Sequence, residues 1–207
     1  MKLSASQIDQ AKANPRRFVG NMGKPFRMRP HFRMYFCGAI ARYFKGMAEA
    51  DALDYFNVNA EEKLQSQLYF TAHLNRYRQS LLNFFENFPD LDLLYLRSAE
   101  RFTLNLGNHR LSGQVEAIHA KPFGGYAVTM TEKEASDWTN SLKWPLVQAA
   151  IASKMNGDPS EVEIVSYSMM DLEFSRHCFP TEVIDAAKHD AESVIENVES
   201  IRAEFED

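Results

Sequence analysis

The sequence predicts an α/β domain in which a small mixed β-sheet is flanked by helices. Residues 100–131 contain three segments that alternate polar and apolar side chains, separated by Gly107-Asn108 and Gly124-Gly125. This pattern is typical of an antiparallel meander. The stretches before and after it have apolar residues at helical spacing instead. Since 45% of the 207 residues are apolar, the chain can bury one substantial core.

The first 90 residues are predicted to be mainly helical. Ser4 is a suitable N-cap for a short helix that stops at Asn14-Pro15, because the residue before a proline avoids the helical conformation. Residues 16–30 contain two glycines and two prolines and are expected to be loop. A second helix is predicted from residue 32 towards residue 45, and the longest over residues 61–88.

Residues 91–207 are predicted to form the sheet core with its flanking helices. The meander strands are expected at residues 100–106, 110–119 and 126–131, and residues 91–96 are interpreted as a buried connection. The elements predicted after the meander are a helix over 137–155 interrupted by Pro145, a strand over 162–169, a hairpin partner over 173–178 and a final helix from residue 180 to about Arg202. Because no repeat or linker is apparent, the sequence predicts one domain over residues 1–207.

Charged residues are distributed unevenly along the chain. Residues 10–48 contain nine basic residues and no acidic one, whereas residues 182–207 contain nine acids and two basic residues. A basic segment interleaved with aromatic residues is what a nucleic-acid-binding face requires. The side chains predicted to contact DNA are Arg16, Arg17, Lys24, Arg27, Arg29, Arg33 and Arg42. The alternative is that this segment pairs with the acidic C-terminal helix across the fold.

Cysteine content and hydropathy limit the compartment and the cofactors. Cys37 and Cys178 are too few for a disulfide framework or a four-cysteine metal cluster. No apolar run approaches the roughly 20 residues of a membrane span, and the N-terminus lacks the apolar core of a signal peptide. A cytoplasmic protein without a membrane partner is therefore expected. The histidines have no metal-ligand spacing, so a zinc site is not expected.

The order of these elements, and several short sequences within them, resemble the RecB-like branch of the PD-(D/E)XK nuclease superfamily, which includes the nucleases of CRISPR adaptation. The resemblance covers nearly the whole chain, and the stretches that carry it are LSASQIDQAKANPRRF, FCGAIARYFKG, SAERFTLNLGNHRLSGQVEAI and SLKWPLVQAAIASKMNGDPSEVEIVSYSM. The resemblance implies a restriction-endonuclease-like core and metal-assisted phosphodiester hydrolysis. In that chemistry two carboxylates and a backbone carbonyl hold Mg²⁺ or Mn²⁺, and a lysine supports the attacking water.

The resemblance gives candidates for the metal ligands and shows where the family pattern is lost. Glu100 corresponds to the family's first-strand glutamate, and Glu116 corresponds to its principal aspartate. At the usual distance after Glu116, Thr129-Met130-Thr131 replaces the (D/E)-x-K element, which removes both its acid and its lysine. Arg42 replaces the histidine ligand, and a guanidinium has no lone pair for a metal.

Further positions depart from the family pattern. Lys143 and Val147 stand where the family has glutamine and tyrosine, and Asn14 replaces the first cysteine of the iron–sulfur branch, so no such cluster is expected. Lys133 could supply a lysine if the register slipped. However, Glu132 and Lys133 are adjacent and would point to opposite faces of a strand.

Three functions remain open on the sequence. The first is a catalytically degenerate nuclease-fold protein that binds DNA or serves as a structural subunit of a DNA-processing or defence complex with protein partners, without a cofactor. The second is an active Mg²⁺- or Mn²⁺-dependent DNA nuclease, with Glu100, Glu116 and Lys133 as catalytic candidates and the two glutamates as metal ligands. The third is a protein-interaction module that uses the acidic C-terminal helix.

Overall fold

The chain folds into a six-stranded mixed sheet between two layers of helices. The computed structural model describes residues 1–22, 30–132 and 138–206. The helices are α1 (Ala5–Ala13), α2 (Pro15–Asn21), α3 (Phe32–Phe44), α4 (Glu49–Leu64), α5 (Phe70–Asn87), α6 (Lys143–Met155) and α7 (Thr181–Glu206). The strands are β1 (Lys2–Ser4), β2 (Leu94–Leu106), β3 (His109–Ala120), β4 (Tyr126–Glu132), β5 (Val162–Ser168) and β6 (Glu173–His177).

The sheet has the order β1-β3-β4-β5-β6, and β2 pairs with β3. Strands β2, β3 and β4 form the predicted antiparallel meander. Strand β5 lies parallel to β4, and α6 forms the crossover between them, as parallel neighbours require a long connection. The predicted α/β class, with a small mixed sheet flanked by helices, is confirmed.

Each face of the sheet buries a separate apolar core. One core lies between the sheet and helices α1, α6 and α7, and includes Ile118, Val128 and Trp144. The other lies between the sheet and helices α3, α4 and α5, and includes Phe36 and Tyr167. This arrangement leaves β3 and β4 covered by helices on both faces, so that polar groups on these strands must find partners inside the fold.

A buried amide fixes α6 relative to the segment that leads into α7. The Gln148 side chain accepts a hydrogen bond from the Phe179 backbone N–H at 2.8 Å and donates to the Phe179 carbonyl oxygen at 3.0 Å. Its amide also donates to the Pro159 carbonyl oxygen at 2.9 Å. A fully buried glutamine is tolerated here because its hydrogen-bonding groups are used.

The loop predicted over residues 16–30 is wrong for its first part, where the structure has α2. Asn14 caps this helix, and its side-chain oxygen accepts a hydrogen bond from the Arg17 backbone N–H at 3.0 Å. Pro15 occupies the first turn, where its missing N–H costs nothing. The same dipeptide that ends α1 therefore also starts α2. The rest of the predicted loop lies mostly outside the described residues.

The single long helix predicted over residues 61–88 is also wrong. Helix α4 ends at Leu64, α5 begins at Phe70, and Tyr69 between them has a left-handed φ of 58°. Leu68, counted among the apolar positions of that helix, is 76% exposed. The break is not marked by glycine or proline, so periodicity alone did not reveal it.

Two further predictions about the core are corrected. Strand β2 begins at Leu94, which is 70% exposed, so residues 91–96 are not a buried connection. Pro145 does not interrupt α6, because it lies in the first turn, where the backbone N–H has no partner within the helix. Within the described ranges, no helix combines the length and the apolar character needed to cross a membrane.

Candidate functional site

Glu116 lies where the ladder between β2 and β3 is interrupted. The register passes from the pair Ser98–Ala117 to the pair Glu100–Val115 without pairing Ala99 with Glu116. Ala99 has a left-handed φ of 53°, which costs a non-glycine residue on the order of 1–3 kcal/mol. Because such strain concentrates at functional sites, this part of the meander is a candidate functional site.

The carboxyl group of Glu116 is enclosed by α3 and β4. Its Oε1 accepts a hydrogen bond from Thr131 Oγ1 at 2.8 Å and another from Cys37 Sγ at 3.4 Å. Its Oε2 is buried and has no hydrogen-bond partner among the residues described. Burial raises the pKa of Glu116, although the Thr131 hydrogen bond and the charge of Arg33 act in the opposite direction. The neutral form of the Glu116 carboxyl group is therefore favoured more in this site than it is in water.

Cys37 is part of this cluster but has no nucleophilic character. Burial, followed by the charge of Glu116, raises the pKa of the Cys37 thiol to about 12. Since only a thiolate attacks electrophiles or binds metals, Cys37 serves here as a hydrogen-bond donor to Glu116.

Arg33 brings a positive charge to the same cluster. It lies in the first turn of α3, and its Nη2 donates a hydrogen bond to the Thr131 carbonyl oxygen. Burial lowers the pKa of Arg33, but Cys37, Glu116 and Glu132 together raise it, and the net shift is upward. The guanidinium is therefore held in its charged form beside two acids.

A second cation, Lys143, balances the charge of Glu132 at the end of β4. Lys143 Nζ lies 3.3 Å from Glu132 Oε1, and both side chains are mostly buried. The same ammonium lies 4.0 Å from the centroid of the Trp144 ring, a distance suited to a cation–π contact. Lys143, which stands where the resemblance expects a glutamine, thus pairs with an acid of this structure.

These groups do not fit a site for a hard divalent cation. Mg²⁺ requires several oxygen ligands in near-octahedral geometry, whereas Glu116 Oε1 already accepts hydrogen bonds and a guanidinium donates to the Thr131 carbonyl. No group of three or more His, Cys, Asp or Glu side chains suitable for a metal occurs within residues 1–22, 30–132 and 138–206.

The second predicted ligand, Glu100, is not brought together with Glu116. Its carboxylate forms an ion pair with Lys154 of α6, which lowers the pKa of Glu100 chiefly through this hydrogen bond. Glu100 therefore faces the α6 layer, whereas Glu116 contacts Cys37 of α3. Lys133, the third catalytic candidate, lies outside the described residues.

The residues predicted to contact DNA have different surroundings. Arg16 pairs with Glu204 of α7 at 3.0 Å. The Arg42 guanidinium carbon lies 3.5 Å from the centroid of the Tyr55 ring. Arg33 is engaged at Thr131, as described above, and Arg17 is exposed. The predicted contacts at Lys24, Arg27 and Arg29 fall outside the described residues.

The acidic helix α7 supplies partners for the basic N-terminal helices. Besides the pair between Arg16 and Glu204, Lys12 lies 3.0 Å from Asp190. The pairing of the basic segment with the acidic helix, which the sequence left as an alternative, is thus present at these two positions. Both pairs are exposed, so each contributes little to stability, about 0–1 kcal/mol.

His119 is another buried polar group on β3. The ring is completely buried, and neither ring nitrogen has a hydrogen-bond partner among the described residues. Its centroid lies 4.8 Å from that of Phe44, 5.3 Å from Phe88 and 6.0 Å from Tyr95. Burial lowers the pKa of His119 to about 4, so the ring is neutral at physiological pH.

A cavity of about 190 Å³ adjoins Glu116 between α3 and the interrupted ladder. Its walls include Ile40, Ala41 and Phe44 of α3, together with Gln114 and Glu116 of β3. The exposed Ala99 also lines it. The cavity is therefore mainly apolar and reaches the surface, and the polar side chains in its wall are those of Cys37, Gln114 and Glu116.

Comparison with known proteins shows a shared fold. The crystal structure of a protein from Eubacterium rectale described as a "Putative exonuclease" superimposes with a TM-score of 0.64, covering 98% of this chain and 81% of that one at 11% identity. The two chains have the same fold. The structure of SSO0001 covers 89% of this chain and 84% of its own at 11% identity, but its TM-score of 0.35 supports no argument. No protein-family model and no curated protein matches the chain.

The sequence analysis named Glu116 as a candidate, but it did not predict that Arg33 and Cys37 would lie beside it. Arg33 was predicted to contact DNA, and Cys37 was given no role at this site. A signal was present, because residues four apart on a helix lie on one face, and Arg33 and Cys37 have this spacing. The direction of that face depends on how α3 packs against the sheet, which the sequence pattern did not reveal.

Proposed function

We propose that this chain is a catalytically degenerate nuclease-fold protein that binds DNA without hydrolysing it. The single observation that supports the loss of catalysis is the environment of Glu116. Its carboxyl group is buried against Thr131 and Cys37, and the Arg33 guanidinium supplies the positive charge beside it. The protein's own cation thus stands in for the divalent ion that hydrolysis would need.

The DNA-binding part of the proposal has a different basis. The fold shared with a protein described as an exonuclease suggests a nucleic-acid partner, and the acid-free basic segment of the sequence supplies positive charge. Arg17 is exposed on α2, and none of the described ion pairs uses it.

Metal binding and cleavage test the first part of the proposal. We expect no Mn²⁺ or Mg²⁺ binding by calorimetry and no cleavage of labelled single- or double-stranded DNA, because Glu116 is already engaged and Glu100 is paired elsewhere. Glu116→Gln preserves the shape of the side chain and should behave like the wild type. Micromolar Mn²⁺ binding that disappears in Glu116→Gln, accompanied by cleavage in the wild type, would establish an active nuclease instead.

Salt dependence tests the second part. If about four phosphates are contacted, the affinity for labelled DNA should fall by about 10²-fold when the salt concentration is raised fourfold. Fluorescence anisotropy at several salt concentrations measures this slope. Arg17→Gln should weaken binding and reduce the slope by about one contact.

A matched control is available on the other helical layer. Arg78 is exposed on α5, so Arg78→Gln removes the same charge far from α2 and should leave the affinity almost unchanged. Binding that does not weaken with salt, or equal effects of the two substitutions, would contradict DNA binding through α2.

A further inference from the structure

The cavity beside Glu116 is shaped for a small ligand rather than a phosphate backbone. Its volume of about 190 Å³ is below the range of about 300–1,000 Å³ that is typical of sites for drug-sized molecules. It therefore admits one compact ring system. The exposed residues Ala99 and Gln114 line its mouth, and Ile40, Ala41 and Phe44 form apolar walls.

The charges around the cavity exclude ionic ligands. The guanidinium of Arg33 already interacts with Glu116, so a cationic ligand would be repelled. An anion would find no lysine or arginine among the described residues of the wall. The cavity is therefore suited to a neutral molecule, since a buried charge without a partner is costly.

Two side chains of the wall have hydrogen-bonding capacity that the fold does not use. Glu116 Oε1 is held by Thr131 and Cys37, but Oε2 has no partner among the described residues. An unsatisfied buried oxygen of this kind destabilises the fold. Oε2 is covered by surrounding atoms, so a ligand reaches it only when the carboxyl group turns about its soft last torsion and exchanges its hydrogen bonds to Thr131 and Cys37 for those to the ligand. Gln114 adds an amide that can both donate and accept.

We propose that this cavity binds one neutral nucleobase, whose polar edge faces Glu116 and Gln114 and whose ring lies against Ile40, Ala41 and Phe44. Proteins that take an unstacked base from a strand use this combination of apolar walls and hydrogen bonds to the base edge. The inference rests on the proposed function where the base belongs to DNA, and stands without it where the base is free. It gives the cavity beside Glu116 a binding role.

Titration with single nucleosides tests the cavity directly. Calorimetry with adenosine, guanosine, cytidine, uridine and thymidine should show saturable binding of at least one of them. Ala41→Phe fills the cavity and should abolish this binding. Ala50→Phe adds the same bulk at an exposed position of α4 and should retain it.

A second substitution keeps the test decisive if Ala41→Phe does not fold, as judged by circular dichroism. Gln114→Leu changes an exposed side chain and should weaken nucleoside binding about tenfold, the equivalent of one lost hydrogen bond. A single-stranded oligonucleotide with one 2-aminopurine should become brighter on binding to the wild type but not to Ala41→Phe.

The outcomes separate this inference from the DNA-binding proposal. Salt-dependent DNA binding without nucleoside binding and without 2-aminopurine unstacking overturns the base site and leaves DNA binding standing. Nucleoside binding that Ala41→Phe abolishes, in a protein that does not bind DNA, supports a site for free bases and overturns the DNA role. Nucleoside binding that survives both Ala41→Phe and Gln114→Leu places the ligand elsewhere and overturns the inference.

Discussion

Replacing Arg33 by methionine is expected to lower the free energy of unfolding by about 3 kcal/mol at neutral pH. The substitution keeps much of the apolar stem but removes the donor to the Thr131 carbonyl oxygen and the positive charge beside Glu116 and Glu132. A buried carbonyl without a donor costs about 1–3 kcal/mol. The loss of the cation adds to this because buried acids without a counter-charge are strongly destabilising. Urea denaturation of the two proteins measures the difference.

Arg42→Met is the matched control, because Arg42 lies on the same helix and is also partly buried. Its guanidinium also donates a hydrogen bond to a backbone carbonyl oxygen, that of Gly38 at 3.0 Å, but it lies over Tyr55 rather than beside an acid. The contact with the ring contributes about 0.5–1 kcal/mol at exposed sites and about 2 kcal/mol when desolvated. The Arg33 substitution should therefore cost clearly more than the Arg42 substitution. Equal losses would mean that the charge of Arg33 is not what stabilises the Glu116 cluster.

His119→Phe is expected to remove an acid-sensitive part of the protein's stability. The pKa of His119 falls from an ordinary value of 6.5 to about 4 in the folded chain. Below pH 6.5 the unfolded chain therefore binds a proton that the folded chain rejects. Stability is lost as the pH falls from about 6.5 to about 4, and the full shift corresponds to about 3 kcal/mol.

The phenylalanine variant fits the same aromatic surroundings without titrating. Its free energy of unfolding should equal or exceed that of the wild type at about pH 7, and it should fall less on acidification to about pH 4.5. Denaturation curves at both pH values provide the measurement. His189→Phe makes the same change at an exposed position of α7 and should leave the pH dependence almost unchanged.

Glu116 acts on stability in the opposite sense from His119. Because its pKa is raised in the fold, its contribution is present at pH values below the ordinary carboxyl pKa and is lost as the pH rises through the folded value.

Acid sensitivity that is the same in wild type and His119→Phe would show that other groups dominate the low-pH transition.

The elements with a local sequence signal were predicted, and those without one were missed. The meander was found from its alternating segments and glycine turns, which are local features. Strand β1 was missed because its three residues are stabilised by pairing with Arg110–Ser112, a partner that no local pattern identifies. The break between α4 and α5 was missed because Tyr69 adopts a left-handed conformation without a glycine to mark it.

The same limit applies to the candidate site. The resemblance placed Glu116 at the end of a strand pair, where the structure has a cluster of polar side chains. It did not predict that Glu100 would turn towards Lys154, because Lys154 lies more than fifty residues further along the chain, in a different layer of the fold. Contacts across layers depend on packing angles, which motif spacing does not encode.

The pairing of the first helices with the last one has a consequence for the order of folding. Lys12 and Arg16 find their partners 178 and 188 residues further along the chain, and β1 pairs with a strand more than one hundred residues away. During synthesis the N-terminal helices cannot complete their packing until α7 has left the ribosome, although α3, α4 and α5 can associate earlier. Such distant contacts slow the search for the native topology. Refolding from denaturant should therefore be limited by the packing of α1, α2 and β1 against α7 and β3 rather than by helix formation.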